Sequence, residues 1–125
     1  MFSLKNLFLI LFFIHFSHSK ILGLDISKYD TVDFNKVVKS GVKFVIIRVG
    51  SGKDMPDEKY ESHYKHAKKS GLNVGAYYFG YELSAADAAT AAKNVIKHLK
   101  GKKFEYPIYY DIEWNEIFKL GKKKS

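Results

Sequence analysis

Four short apolar segments alternate with three amphipathic segments along this chain, and this alternation restricts the fold more than any other feature of the sequence. The apolar segments begin near residues 21, 42, 73 and 107. Glycines at positions 41, 71 and 101 follow the three amphipathic segments, as is typical of helix ends. Regular alternation of strands and helices predicts right-handed βαβ units and a parallel sheet. The predicted fold class is therefore α/β, with four parallel strands alternating with three helices.

The first 19 residues have the composition of a secretory signal peptide. Lys5 precedes an apolar run at residues 7–16, and Ser17 and Ser19 provide the small side chains that signal peptidase accepts. This run is too short to span a bilayer. We predict that residues 1–19 are removed and that a secreted domain starts near Lys20, with no stable membrane insertion after cleavage. It would act outside the cell or in the lumen of the endomembrane system, and an uncleaved membrane anchor is the alternative.

Charge and cysteine content limit the class of protein and its partners. The chain has 21 lysines and arginines, 13 acidic residues and no cysteine. Without disulfides, its stability must come from buried apolar surface. The positive charge favours a polyanionic partner, which could be nucleic acid, an anionic membrane surface or bacterial cell wall, and a solvated basic surface is the default interpretation. Because most lysines are spread along the helical segments and no nucleic-acid motif accompanies them, we predict no nucleic-acid partner.

Acidic residues stand at the ends of the first and fourth predicted strands. Asp25 ends the first strand, and Asp111 and Glu113 end the fourth, where side-chain alternation would place both on one face. The carboxyl ends of parallel strands form the active-site edge of such sheets. Hydrolysis of a glycosidic bond needs one acid to protonate the leaving oxygen and another group to stabilise positive charge at the anomeric carbon. The sequence thus predicts acid catalysis here, and a solvated acidic strand end is the alternative.

Arg48 and a group of aromatic residues fall near the same predicted edge. Arg48 interrupts an apolar strand and needs a carboxylate partner if it is buried, so it could form either a structural ion pair or a substrate contact. The aromatic side chains could stack on sugar rings or belong to the core. They are Tyr77, Tyr78, Phe79, Tyr81, Tyr109 and Trp114. The candidate substrate contacts are Tyr77, Tyr78, Phe79, Trp114 and Arg48.

Other kinds of functional site find little support in the sequence. Residues 50–53 lack the spacing of a phosphate-binding loop. His63 and His66 have helical spacing but no accompanying zinc-ligand motif, which indicates a solvated helix face. Neither a cysteine nor a Gly-x-Ser-x-Gly nucleophile motif is present. The sequence therefore supports none of these kinds of site.

Four segments, in order and spacing, resemble the glycoside hydrolase family 25 lysozymes. They are residues 23–27, 44–48, 74–79 and 106–113, and the resemblance covers residues 21–114. It implies cleavage of the β-1,4 bond between N-acetylmuramic acid and N-acetylglucosamine in bacterial peptidoglycan, with no metal and no cofactor. It also implies that Glu113 is the general acid, that Asp111 orients the 2-acetamido group or stabilises the cation, and that Asp25 is the acid at the end of strand one.

Members of this family form a flattened α/β barrel with further strands after the fourth. The resemblance therefore predicts that residues 20–125 are a partial catalytic domain, the N-terminal half of a TIM-like (β/α) barrel. The fourth strand would then have an open edge, through which the chain could self-associate. The alternatives to an active lysozyme are a noncatalytic module that binds wall glycan and an inactive fragment. A family 18 chitinase is less consistent with the sequence, because Pro107 and Tyr109 stand where that family has aspartates.

Overall fold

The computed structural model describes residues 20–52, 56–113, 115 and 119. Strands and helices alternate as the sequence predicts, and the predicted signal peptide at residues 1–19 lies outside the described residues. The elements are β1 (Gly23–Ile26), α1 (Phe34–Lys39), β2 (Phe44–Ser51), α2 (Tyr60–Lys69), β3 (Asn73–Phe79), α3 (Ala85–Leu99) and β4 (Ile108–Asp111).

The four strands form one parallel sheet in the order β1-β2-β3-β4. Each strand pairs with the next strand along the chain, and one helix connects each pair. This arrangement confirms the predicted α/β class and the parallel direction of all four strands. The carboxyl ends of the strands consequently meet at one edge of the sheet.

One face of the sheet, which we call the helix face, contains the core. Val45, Ile47 and Val74 on this face are fully buried and form one cluster with Tyr60 and Ala67 of α2. Burying an aliphatic side chain of this size contributes about 1.5–3 kcal/mol. The helix face therefore accounts for most of the packing.

Residues that the sequence marks as helix boundaries have this role in the structure. Gly41, Gly71 and Gly101 follow α1, α2 and α3 with φ angles of 89°, 76° and 78°, a region that glycine adopts without a steric cost. Ser84 caps α3 by accepting a hydrogen bond from the Asp87 amide at 3.1 Å. Its hydroxyl also donates to the Asp87 carboxylate at 2.9 Å, a modified capping box in which aspartate takes the place of glutamate or glutamine.

The spacing of apolar residues predicts a buried face of α3 that is wrong in part. The predicted face consists of Ala85, Ala88, Ala92, Val95 and Leu99. Ala85 and Ala92 are exposed, whereas Ala91 is buried. The reason is that α3 carries alanines around most of its circumference, so hydrophobic periodicity does not single out one face.

None of the helices in the described ranges is both long enough and apolar enough to cross a membrane.

Candidate active site

The second face of the sheet, which we call the open face, carries polar side chains at its carboxyl end. Side chains alternate along β2, so Ile46 and Arg48 point away from the helix face. The register pairs Asp25 with Ile46, Arg48 with Tyr77 and Phe79 with Asp111. Paired residues of neighbouring strands share a face, so the open face includes Asp25, Arg48, Tyr77, Phe79, Tyr109 and Asp111.

Tyr77 lies on β3, between the strands that carry Asp25 and Asp111. Burial raises the pKa of Tyr77, Arg48 lowers it, and the carboxylates of Asp25 and Asp111 raise it further. The register therefore places Asp25 of β1 and Asp111 of β4 on the same face at the carboxyl end of the sheet, although 86 positions separate them in the sequence.

Glu113 lies beyond the end of β4, so strand alternation does not decide whether it shares a face with Asp111. Strand β4 ends at Asp111, and the side chain of Glu113 is exposed. The physical reason is that β3 ends at Phe79, the register partner of Asp111, so residues 112–113 have no neighbouring strand to pair with. Strand geometry therefore does not fix the separation of the two carboxyl groups.

Arg48 forms an ion pair with Asp57, a residue that the sequence analysis did not single out. The Nε atom of Arg48 donates to Asp57 Oδ2 at 2.9 Å, and the side chains are 12% and 1% exposed. Asp57 also accepts hydrogen bonds from the amides of Lys28 at 2.8 Å and Lys59 at 3.0 Å. Of the two alternatives for Arg48, the structure therefore contains the structural ion pair. The sequence does contain a signal for this pair, because an acidic residue follows shortly after a strand whose single charged residue is an arginine.

The aromatic candidates separate into two groups. Tyr77 and Phe79 are partly exposed on the open face, where Tyr81 packs against Phe79 with ring centroids 4.9 Å apart. Tyr78 is buried on the helix face and donates a hydrogen bond to Glu82. The structure therefore does not bring Tyr78 to the same site as Asp25 and Asp111, because consecutive strand residues point in opposite directions. Trp114 lies outside the described residues.

The prediction that His63 and His66 form a solvated helix face is wrong for His63. His63 is buried, and its Nε2 atom lies 3.2 Å from the carbonyl oxygen of Ser27, which it can approach only as a donor. It lies on the same face of α2 as Tyr60 and Ala67, whereas His66 is exposed. Across residues 20–52 and 56–113, no three histidine, cysteine or acidic side chains are grouped so that they could hold a metal ion.

Comparison with known proteins assigns the chain to a family. Residues 24–125 match the family model described as Glycosyl hydrolases family 25. The chain belongs to glycosyl hydrolase family 25. Solved members of this family have a TIM-like barrel, and the four parallel strands and three helices correspond to part of it.

Individual relatives agree with this assignment. The chain is 34% identical over 92 residues to an autolytic lysozyme of Clostridium acetobutylicum. The matched region covers 73% of this chain and 28% of that protein. The catalytic domain of the endolysin ply40 from Listeria monocytogenes bacteriophage P40 superimposes with a TM-score of 0.70 at 30% identity, covering 81% of this chain and 51% of that one. The modular autolysin LytC of Streptococcus pneumoniae, in complex with a synthetic peptidoglycan ligand, gives a TM-score of 0.67 at 31% identity over 74% of this chain and 22% of that one. The chain thus spans about a quarter of the length of the curated lysozyme.

Proposed function

We propose that this protein is a secreted lysozyme that hydrolyses the β-1,4 bond between N-acetylmuramic acid and N-acetylglucosamine in bacterial peptidoglycan. The observation that carries the proposal is the position of Asp25 and Asp111 on the open face at the carboxyl end of the parallel sheet. In parallel α/β folds, catalytic residues occupy this edge. Membership of family 25 and the peptidoglycan ligand bound to LytC support the same substrate class.

The proposed mechanism gives each carboxylate a separate task. Glu113 protonates the glycosidic oxygen as the bond breaks, and its exposed position leaves it accessible to a polymeric substrate. Asp111 stabilises the positive charge that develops at the anomeric carbon or orients the 2-acetamido group. Asp25 adds negative charge on the opposite side of Tyr77, which favours the same cationic transition state.

Substitution of Glu113 by glutamine tests this assignment. The glutamine side chain has the same size but cannot donate a carboxylic proton, so E113Q is expected to release reducing sugar from peptidoglycan at least about 100-fold more slowly than the parent chain. The control is E58Q, which makes the same change at an exposed glutamate of the β2–α2 loop and is expected to retain parental activity. Equal activity of E113Q and the parent would refute the role of Glu113.

A noncatalytic glycan-binding module is the second candidate, and exposed aromatic rings favour it. Tyr29, Tyr81 and Tyr109 are 78%, 45% and 47% exposed, and such rings can stack on sugars. Sedimentation of the parent and E113Q with insoluble peptidoglycan separates the two candidates. Equal binding by both proteins, together with no cleavage by the parent, would favour the binding module over the lysozyme.

A further inference from the structure

The loop after β3 carries a buried carboxylate that the proposed reaction does not use. Glu82 is 9% exposed, and its oxygens accept hydrogen bonds from the hydroxyls of Tyr78 and Tyr110, the second at 2.7 Å. Because both donors are uncharged, these bonds must compensate for the water that the carboxylate loses on burial. Burial, followed by the hydrogen bond to Glu82, raises the pKa of Tyr110 to about 12, so its hydroxyl remains a proton donor at neutral pH.

Glu82 joins the carboxyl ends of two strands. Tyr78 and Tyr110 are register partners on β3 and β4, and their rings stack with centroids 5.8 Å apart. Each tyrosine gives its hydroxyl to a different oxygen of the same carboxylate. The carboxylate therefore acts as a clamp that fixes the end of β4 against the end of β3.

The same loop also holds the backbone of Asp111. The amide of Gly80 donates to the carbonyl oxygen of Asp111 at 2.9 Å, two residues before Glu82 in the sequence. A Cβ atom at position 80 would collide with the hydroxyl of Tyr110 and would lie 3.1 Å from Glu82 Oε2. Glycine at this position thus allows the loop to approach Tyr110 and Asp111 together.

Apart from its pairing with β3, strand β4 has few contacts with the other described elements that could fix it in place. It is four residues long and lies at one edge of the four-stranded sheet, and Ile108, Tyr109 and Tyr110 are exposed in the part of the chain that the structure describes. Elements with few buried contacts open locally at a lower free energy than central strands do. The position of Asp111 therefore depends strongly on the contacts that Gly80 and Glu82 make.

We propose that Glu82 is a positioning residue that acts through Tyr110 to fix Asp111 and the adjacent Glu113. The catalytic consequence rests on the proposed function, whereas the structural consequence can be measured without any activity. A displacement of about 1 Å in a reacting group can lower a rate on the order of 100-fold. Loss of the hydrogen bond between Glu82 and Tyr110 is therefore expected to affect kcat more than KM.

The variant Y110F removes the hydroxyl and keeps the ring. We expect its kcat on peptidoglycan to fall about 10- to 100-fold while KM changes by less than about two-fold, because the residues of the open face are not altered. E82Q keeps the size of the side chain and one acceptor oxygen, so it should give a smaller loss. Equal kcat values in Y110F, E82Q and the parent would contradict the proposal.

The matched control is Y64F, which removes a tyrosine hydroxyl that also makes two hydrogen bonds. The Tyr64 hydroxyl accepts from the Lys103 amide at 2.9 Å and donates to the Lys103 carbonyl at 3.1 Å, in the α3–β4 loop before the strand. Y64F is expected to keep kcat within about two-fold of the parent. If Y64F loses as much activity as Y110F, the loss reflects general destabilisation and the positioning role is wrong.

Amide hydrogen exchange distinguishes failure of this inference from failure of the proposed function. In Y110F the Gly80 amide should exchange about ten-fold faster relative to the amides of β2, whether or not the parent cleaves peptidoglycan. If the parent is inactive on peptidoglycan, the proposed function is wrong. The exchange rate of the Gly80 amide then still tests whether Glu82 fixes the end of β4. If the Gly80 amide exchanges at the same relative rate in Y110F, E82Q and the parent, the positioning role is wrong. It is also wrong if neither variant folds, because Glu82 would then contribute to stability only.

Discussion

At the scale of single residues, the buried carboxylate of Asp57 connects three separate segments at the active-site edge. It accepts hydrogen bonds from Nε of Arg48 in β2, from the amide of Lys28 in the β1–α1 loop and from the amide of Lys59 at the start of α2. Removing one partner of a buried ion pair leaves the other charge without compensation. Asp57 therefore compensates the charge of Arg48 on the open face.

Replacement of Asp57 by asparagine should strongly destabilise the fold. Asparagine keeps the shape of the side chain but not its charge, so D57N is expected to lower the free energy of unfolding by about 3 kcal/mol. Urea denaturation followed by circular dichroism measures this quantity.

The control for D57N is the same change at Asp33. This residue caps α1 and pairs with Lys36 at 3.7 Å on an exposed surface. Asparagine caps helices about as well as aspartate, and exposed ion pairs contribute little, so D33N should stay within about 0.5 kcal/mol of the parent. Similar losses for the two variants would show that the ion pair of Arg48 is not the source of the stability.

At the scale of secondary-structure elements, α3 is the longest helix in the described part of the chain and starts immediately after the loop that contains Glu82. Its 15 residues begin at Ala85, and Ser84 holds the first turn through the Asp87 amide. The helix buries Ala91 but leaves Ile96 66% exposed, so tertiary packing supports it on one narrow stripe. Local stabilisation at its N-terminus consequently matters more than it would for a deeply buried helix.

The variant S84A should therefore destabilise the protein by about 1 kcal/mol, because the Asp87 amide loses its acceptor. Thermal unfolding monitored by circular dichroism would detect the change. The control T90A removes a hydroxyl that bonds only to the Ala86 carbonyl within the helix, and alanine has the higher helix propensity, so its stability should be unchanged or slightly higher. A loss for T90A as large as that for S84A would argue against the cap.

At the scale of the whole molecule, Glu105 connects the loop between α3 and β4 to the centre of the fold. Its carboxylate pairs with Lys68 of α2 at 2.5 Å and accepts the Val74 amide of β3 at 2.9 Å. The hydrogen bond from Lys68, followed by that from Val74, lowers the pKa of Glu105 below its usual value of 4.5. Glu105 therefore connects the second helix, the third strand and the segment that leads into β4.

This lowered pKa predicts a pH dependence of stability. A carboxyl group with a depressed pKa in the folded state contributes stability that is fully present above the unfolded value near 4.5 and is lost as the pH falls through the lower folded value. Unfolding free energies of E105Q should therefore change less between pH 5 and about pH 3 than those of the parent. E58Q is the charge-matched control, and an equal flattening of its profile would show that Glu105 is not responsible.

The predictions from sequence were most accurate where local chemistry decides the outcome. Apolar runs bounded by turn residues predicted all four strands, and Gly41, Gly71 and Gly101 predicted the helix ends, because propensity and backbone freedom are properties of short segments. The analysis missed Asp57 and Glu82, because the identity of a partner for a buried charge depends on which segments meet in space.

The sequence by itself determined the order of the elements, the parallel α/β fold and the acidic residues at the ends of the first and fourth strands, since hydrophobic pattern and turn chemistry are local. Only the tertiary structure decided that Tyr77 faces the open side while Tyr78 faces the helices, and that Arg48 pairs with Asp57. It also decided that β4 stops before Glu113. These features depend on the register and length of neighbouring strands, which are fixed when separate parts of the chain pack together.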